Sequence, residues 1–336
     1  MSNLYAFAIG QSRTDSSSNP LDCYFPLPLK APDTELAALI TEHFEPGTQA
    51  ASAESVGRFL EAAGEPLASA VGPLLESDGP LTTVRLDADG PINSVPEAYL
   101  KLHLLSHRLA LPNSQNLDNI FAHLPNVAWT SDGPMAAGEA PAAITAARAA
   151  GRPLEIFSVD KFPKMTNYVI PGGVRIADAS RVRLGAHLGE GTTVMHEGQV
   201  NFNSGTLGQG MIEGRISQGV TVGAHSDLGG SSSTMGTLSG GGEIVISIGE
   251  HCLIGANAGT GIPLGDRCTI AAGVYITAGT PIVLLDESGE TVRQVKAREL
   301  AGGSDLLFIQ NGSNGRIECR TNRKAIALNE QLHAHN

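Results

Sequence analysis

Basic residues are scarce in this chain: 22 Lys and Arg stand against 34 Asp and Glu, a formal charge of −12 over 336 residues. Nucleic-acid binding rests on clustered cations that neutralise phosphates, so a polyanion-binding role is excluded. No apolar run approaches the ~18 residues of a membrane-crossing helix, because Gly, Ser or a charge interrupts each one; no membrane partner is expected. The N-terminal MSNLYAFAIGQSRT has no basic segment. Its apolar stretch, Leu4 to Ile9, is shorter than the roughly 7 to 15 residues of a secretory signal, so the chain is expected to be cytoplasmic. Cys23, Cys252, Cys268 and Cys319 show no CxxC pairing and no His at zinc-finger spacing. That excludes a disulfide framework and a zinc ribbon and leaves four reduced thiols. Aromatics are few, 4%, whereas Gly is abundant at 40 residues, a composition of tight regular turns around a thin core.

The two halves of the chain follow different patterns. Residues 33–150 read mainly as helix with a few strands. Apolar residues at helical spacing predict helices over 33–44, behind an Asp33 cap, over 52–64, with a Ser cap and a terminal Gly64, over 95–110 as the longest amphipathic segment, and over the Ala-rich 140–150. Residues 82–89 and 155–162 read as strands. No motif in this half carries chemistry.

From about residue 170 a period of six takes over. Branched apolar residues fall at Ile176, Val182, Leu188, Val194 and Val200, then at Ile216, Val222 and Leu228, at Ile248 and Ile254, and at Leu264, Ile270, Ile276 and Ile282. Six fits neither a helix nor a hairpin array. It fits a parallel β-solenoid whose triangular coil holds three short strands, every sixth side chain stacking inward on its equivalent one coil away. Two interruptions stand out: a register slip between Thr206 and Ile216 that contains GMIEGRIS, and the polar stretch GGSSSTMGTLSGGGE between Leu228 and Ile248. Both are expected to form loops outside the prism, where solenoids place function.

MHEG (195–198), NFNSGTLG (201–208), MIEGRIS (211–217), MGTLSGGG (235–242), GANAGTGIPLGD (255–266) and VKAREL (295–300), set in such hexapeptides, closely resemble tetrahydrodipicolinate N-succinyltransferase. The likeness is to the longer form found in actinobacteria and pseudomonads and covers about residues 160–332. It implies a mainly β fold: a left-handed parallel β-helix at 166–285, after an α+β domain at 1–165 and before a C-terminal β extension and tail at 286–336. It also implies transfer of the succinyl group of succinyl-CoA to the amine of a dicarboxylate acceptor in lysine and diaminopimelate biosynthesis, by a homotrimer with sites between neighbouring prisms.

The resemblance places the catalytic glutamate at Glu213, as general base or as acyl-anhydride nucleophile; either role needs an ionised carboxylate. Gly236 is the candidate oxyanion donor through its backbone N–H. Coenzyme A contacts carry over to Arg215, Gly230, Ser233, Ala256, Ala271, Ala272, Gly279 and Lys296, with Arg298 also near the phosphates. Arg215 could instead grip a carboxylate, and Arg175, Arg181 and Arg183 are further dicarboxylate candidates. A Mg²⁺ on the trimer axis would be held by Glu197; where some members add an aspartate this chain has Ser180, a poor ligand for a hard cation, with Asp178 two residues away.

Rival readings keep the solenoid. Another hexapeptide N-acyltransferase would use a histidine base, with His225 the candidate. A γ-type carbonic anhydrase needs a close histidine pair, which His187, His196, His225 and His251 do not form in sequence. A non-enzymatic scaffold leaves the motifs around Glu213 without a purpose.

Overall fold

The computed structural model describes residues 4–77, 79–236 and 244–321 and divides into two compact units: Met1–Ala110 with Ser114–Val169, and Leu111–Asn113 with Ile170–Asn336. No helix among the described residues is long and apolar enough to cross a membrane.

In the first unit the predicted helices form at Thr34–His43, Ala53–Ala63, Val95–Ser106 and Ala140–Ala149. Their starts follow the expected chemistry, since Asp33 accepts from Leu36 N at 2.9 Å and Ser52 from Ser55 N at 3.1 Å. More strand is present than the pattern suggested. An antiparallel sheet runs Pro20–Tyr24, Ala6–Thr14, Leu81–Leu86, Gly47–Ala51, and a second runs Gly133–Ala136, Val127–Thr130, Ile156–Asp160. Ala6 to Gly10 and all of Val127–Thr130 are buried, so the alternation that announces a half-exposed strand is missing there. The first sheet carries the helices Thr34–His43 and Ala53–Ala63 on a core where Phe7, Phe44 and Phe59 meet at ring separations of 5.0 to 5.8 Å.

The helix Val95–Ser106 departs from its amphipathic reading, for Pro96 to Ser106 are all buried. Its polar side chains are satisfied inside: Lys101 Nζ donates to Asp89 Oδ1, Gly90 O and Asn116 O at 2.6 to 2.7 Å. His103 Nδ1 donates to Tyr99 O at 2.7 Å while its Nε2 accepts from Phe25 N at 3.4 Å. Burial holds this imidazole neutral and brings its pKa from 6.5 down to about 3; burial lowers His107 as well. Between those two values the unfolded chain takes up a proton that the folded chain refuses, so stability is full above pH 6.5 and falls as acid is added, by about 1.4 kcal/mol per pH unit for His103. Buried Asp22, whose pKa is raised by burial, offsets part of this. Urea midpoints for the first unit should therefore drop between pH 7 and pH 5. A flat profile would show that His103 is protonated inside.

In the second unit the chain visits three sheets in rotation. One holds Ala186–Leu188, Ser204–Thr206, Thr221–Val222 and Ser247–Ile248; another holds Gln199–Val200, Arg215–Ile216, Ser233–Thr234, Gly259–Thr260 and Tyr275–Ile276. The third runs from Arg175–Ile176 through Thr192–Val194, Gly210–Ile212, Asp227–Leu228 and Leu253–Ile254 to Thr269–Ile270. Every pairing in these three runs is parallel. The predicted inward residues Val182, Leu188, Val194, Val222, Ile270 and Ile276 are fully buried; only Ile176, in the first strand, is half-buried. Leu306–Gln310 extends the third sheet in parallel and pairs antiparallel with Ile317–Thr321, while Pro281–Leu285 and Thr291–Lys296 form a hairpin beside them.

Both interruptions are smaller than expected. Gly210–Ile212 and Arg215–Ile216 are strands of the wall, and Glu213 is a residue of the corner between them. Thr206 and Ile212 carry the inward series through the slip, both buried; the step from Ile212 to Ile216 is a shortened corner. In the polar stretch, Ser233–Thr234 is also wall, and Ser232, Ser233, Thr234 and Gly236 are buried. Residues 237–243, the remainder of that predicted loop, lie outside the described residues, as does the tail at 322–336.

Candidate active site

Stacked coils bring residues 16 to 27 positions apart into register, and one corner of the second unit collects most of the predicted site. Its backbone ladder runs from Glu213 O, which accepts from Ser231 N at 3.4 Å, to Gly230 O, which accepts from Asn257 N at 2.9 Å, to Ala256 O, which accepts from Gly273 N at 2.9 Å. Ala271 and Ala272 join the same ladder, since a Cβ on Gly255 would lie 2.5 Å from Ala272 N. At the other end of the column two carboxylates converge: a Cβ on Gly230 would sit 3.4 Å from Glu197 Oε2 and 3.5 Å from Glu213 Oε2. Glu213 is half-buried and Glu197 exposed. Gly230, Ala256 and Ala272 thus form a strip of small residues running away from a pair of acids.

Beside the acids is a recess of about 380 Å³ lined by Arg181, Glu197, Gly214, Arg215, Ser231 and Ser232, among others. Arg215 projects from the adjoining sheet, and its Nε and Nη2 donate to Ser233 Oγ at 3.2 and 2.9 Å. The two residues are register partners one coil apart, so the guanidinium is oriented by a neutral hydroxyl and keeps its charge available to an anion. Arg181 donates to the backbone carbonyls of Glu197 at 2.9 Å and Gly198 at 3.3 Å, which bridges the acidic corner to the preceding coil. The sequence reading had left Ser232 unnoticed. Its Oγ is buried without a hydrogen-bond partner, and Gly214 makes room for it, since a Cβ there would come within 2.6 Å of Ser232 O.

Other expected residues fall elsewhere. Gly236 is buried two residues past the strand Ser233–Thr234, at that strand's far end, and not on the Glu213 corner. Gly279 and Lys296 share a separate place: Ala297 N donates to Thr280 O at 2.9 Å and Arg298 N to Ala278 O at 3.1 Å, which sets the two segments side by side. His225 lies on a different corner, its ring stacked on His251 at 4.9 Å and 14°, so it does not accompany Glu213. Asp178 spends its carboxylate on its own turn, where Ser180 N and Oγ donate to Oδ1 at 2.9 and 2.6 Å; these bonds hold its pKa below the usual carboxylate range. No group of three His, Cys, Asp or Glu side chains suited to a metal occurs among the described residues. One chain offers a bound Mg²⁺ the Glu197 carboxylate alone, too little for a cation that takes six oxygens.

Comparison with known proteins shows the family of the chain. Residues 245–278 match the hexapeptide repeat of succinyl-transferase, and residues 124–164 match the middle region of tetrahydrodipicolinate N-succinyltransferase. A 2,3,4,5-tetrahydropyridine-2,6-dicarboxylate N-succinyltransferase of Pseudomonas putida is 56% identical over 344 aligned positions, with 100% of both chains covered. The chain belongs to the tetrahydrodipicolinate N-succinyltransferase family. The family's Vibrio cholerae member is 50% identical with 99% of each chain covered. A crystal structure of the corresponding 2,3,4,5-tetrahydropyridine-2-carboxylate N-succinyltransferase from Campylobacter jejuni superposes with a TM-score of 0.88 at 32% identity, covering 97% of this chain and 94% of that one.

Within an N-succinyltransferase of this family, Gly230 is a sensitive position. Alanine fits there by ordinary contact and its backbone does not require a left-handed conformation, yet its methyl would wedge between the two acids. Gly230→Ala should fold with an unchanged melting temperature and lower kcat/KM by roughly tenfold, because the methyl fills the gap between the two acids without displacing either. Wild-type rates from a folded variant would show that the spacing of the acids has no part in the reaction.

Proposed function

We propose that this chain transfers the succinyl group of succinyl-CoA to the amine of tetrahydrodipicolinate in its open 2-amino-6-oxopimelate form, with Glu213 as the catalytic carboxylate. The observation that carries the reading is the ladder on which a half-buried acid beside a cationic recess leads into a strip of Gly and Ala. An amine attacking a thioester needs a carboxylate to take its proton, or to take the acyl group first, and donors for the carbonyl oxygen as it gains charge. Glu213 serves the first need in either form. Gly236 N–H is the oxyanion donor, brought to the reaction at a site between neighbouring prisms, and Ser232 lines the recess beside the acids. Arg215 and Arg181 fit the carboxylates of the succinyl group and the acceptor.

The pantetheine arm is thin and weakly polar, and it suits the column Gly230, Ala256, Ala271, Ala272, with Arg215 and Ser233 at its flank. Gly279 and Lys296 stand on the same unit's last coil, where Lys296 and Arg298 can meet phosphates. The three rotating parallel sheets support a left-handed β-helix over 166–285, flanked by an α+β domain at 1–165 and an extension at 286–336. A lone prism has flat faces and a cofactor as long as coenzyme A needs a groove, so the working form is a homotrimer, in which three copies of Glu197 could share an axial cation.

Two measurements test this reading. Mass spectrometry of the product should show the acceptor carrying one succinyl group, and light scattering should give three chains per particle. An active monomer, or acylation of a different nucleophile, overturns it.

A further inference from the structure

The first unit contains a second recess, of about 490 Å³, that the succinyl-transfer reading does not use. It opens on the sheet Gly133–Ala136, Val127–Thr130, Ile156–Asp160, and its wall includes Arg13, Trp129, Asp132, Phe157, Asn167 and Tyr168. Arg13 is held in place from behind. Its Nε lies 3.5 Å from Asp22 Oδ2, its backbone N donates to Asp22 Oδ1 at 3.2 Å, and Asp22 is only 1% exposed. Tyr168 Oη donates to the same oxygen, Asp22 Oδ2, at 2.5 Å. The guanidinium reaches Gly133, where a Cβ would come within 2.6 Å of Nη1. Gly133 also has φ of +106°, a conformation that favours glycine. Nη1 and Nη2 make no hydrogen bond among the described residues, so a planar pair of donors is fixed in orientation and left open, the arrangement that grips a carboxylate with two bonds.

Asp132, next to Gly133 in the chain, lines the same recess as Arg13 and brings a carboxylate to its wall. Asp132 Oδ2 accepts from Arg152 Nη1 at 2.9 Å, an ion pair with both side chains about half exposed, and Oδ1 accepts a longer bond from Ser131 Oγ at 3.4 Å, which leaves lone pairs for a further donor. The Asn167 side-chain amide is also open. Around these polar groups stand large rings: Trp129, fixed by its Nε1 donating to Asp160 O at 3.0 Å, Tyr168 packed against it edge-on at 6.5 Å, and Phe157, which is 56% exposed on the edge strand. Lys164 Nζ lies 5.1 Å from the Phe157 ring centroid, a cation–π contact beside the recess.

We propose that this recess binds a free α-amino acid with an apolar side chain. The α-carboxylate lies on Arg13, the α-ammonium on Asp132, and the side chain against Phe157 and Trp129. A simple organic anion would use Arg13 but not Asp132; a cation would be repelled by Arg13. The site has no part in the chemistry assigned to Glu213, and its test is independent of that assignment.

Trp129 is the chain's only tryptophan, so its emission reports the recess directly. The full chain is titrated with L-phenylalanine and with 3-phenylpropionate, which has the same ring and carboxylate but no amine. L-Phenylalanine should change Trp129 emission saturably and bind at least tenfold more tightly than 3-phenylpropionate, the usual worth of one charge-assisted hydrogen bond. Asp132→Asn should erase that preference while leaving 3-phenylpropionate binding unchanged, and Arg13→Gln should abolish both signals. Because Arg13 rests on buried Asp22, its variant is checked by circular dichroism; if it does not fold, Asp132→Asn decides alone. No saturable response to L-phenylalanine, equal affinity for the two probes, or a preference that survives Asp132→Asn overturns the proposal.

Discussion

Glu213→Gln should leave the fold and coenzyme A binding intact and lower kcat by roughly 10² to 10⁴, the usual worth of a positioned acid or base. The amide has the shape of the carboxylate, and Glu213 is a half-buried corner residue, so no core contact is lost. What disappears is the charge that accepts the amine proton or attacks the thioester. The neighbouring Glu197, whose Oε2 approaches the same point above Gly230, cannot substitute, because it stands one coil away and is exposed. The ratio of kcat to KM effects is informative. A fall in kcat marks a role in the transition state, whereas a rise in KM alone would mean that Glu213 only anchors the acceptor amine. Unchanged kinetics would remove the residue from the reaction.

The largest effect on stability is expected at Gly205. This residue pairs with His187 across the coil step, has φ of +150°, and leaves no room for a side chain: a Cβ there would fall inside the His187 carbonyl oxygen and only 2.7 Å from its carbon. The obstruction is backbone, so it cannot swing aside as a rotamer would. Gly205→Ala must part the strands Ala186–Leu188 and Ser204–Thr206 and strain the bond from Gly205 N to Val220 O at 3.0 Å. A cost above about 4 kcal/mol is expected, in the range reserved for clashes of this kind. Gly279→Ala is the control, since nothing lies within 4 Å of that position; it should stay within ±0.5 kcal/mol of wild type, as surface changes do. Denaturant midpoints of the two variants check both values, and equal midpoints would contradict the stacking register described above.

The six-residue period was legible because branched apolar residues fill most inward slots, and those slots are the buried ones in the structure. It faded where threonine takes the slot. Thr206, Thr234 and Thr260 are buried, and each hydroxyl is satisfied locally: Thr206 Oγ1 pairs with Thr192 Oγ1 at 2.6 Å, Thr234 Oγ1 donates to Arg215 O at 3.0 Å, and Thr260 Oγ1 to Ile262 O at 2.7 Å. Threonine has the shape of valine, and a period counted on hydropathy passes over it, so wall was read as loop. The motif MIEGRIS pointed to Glu213, yet the meeting of Glu213 with Glu197 and Gly230 depends on coil lengths that are not constant along the chain, and a shortened corner between Ile212 and Ile216 was not visible as such. Ser232 carried no signal in sequence, because a serine among serines differs only in what its neighbours leave unpaired. In the first unit the helix Val95–Ser106 misled for a related reason: Lys101 and His103 look like a solvent face until their buried partners are seen.

The most direct test of the central claim follows free thiol as the wild-type protein meets succinyl-CoA, with tetrahydrodipicolinate present or withheld. Steady thiol release that requires the acceptor is the expected result. No release with both substrates present, or release at the same rate without the acceptor, would contradict succinyl transfer to its amine.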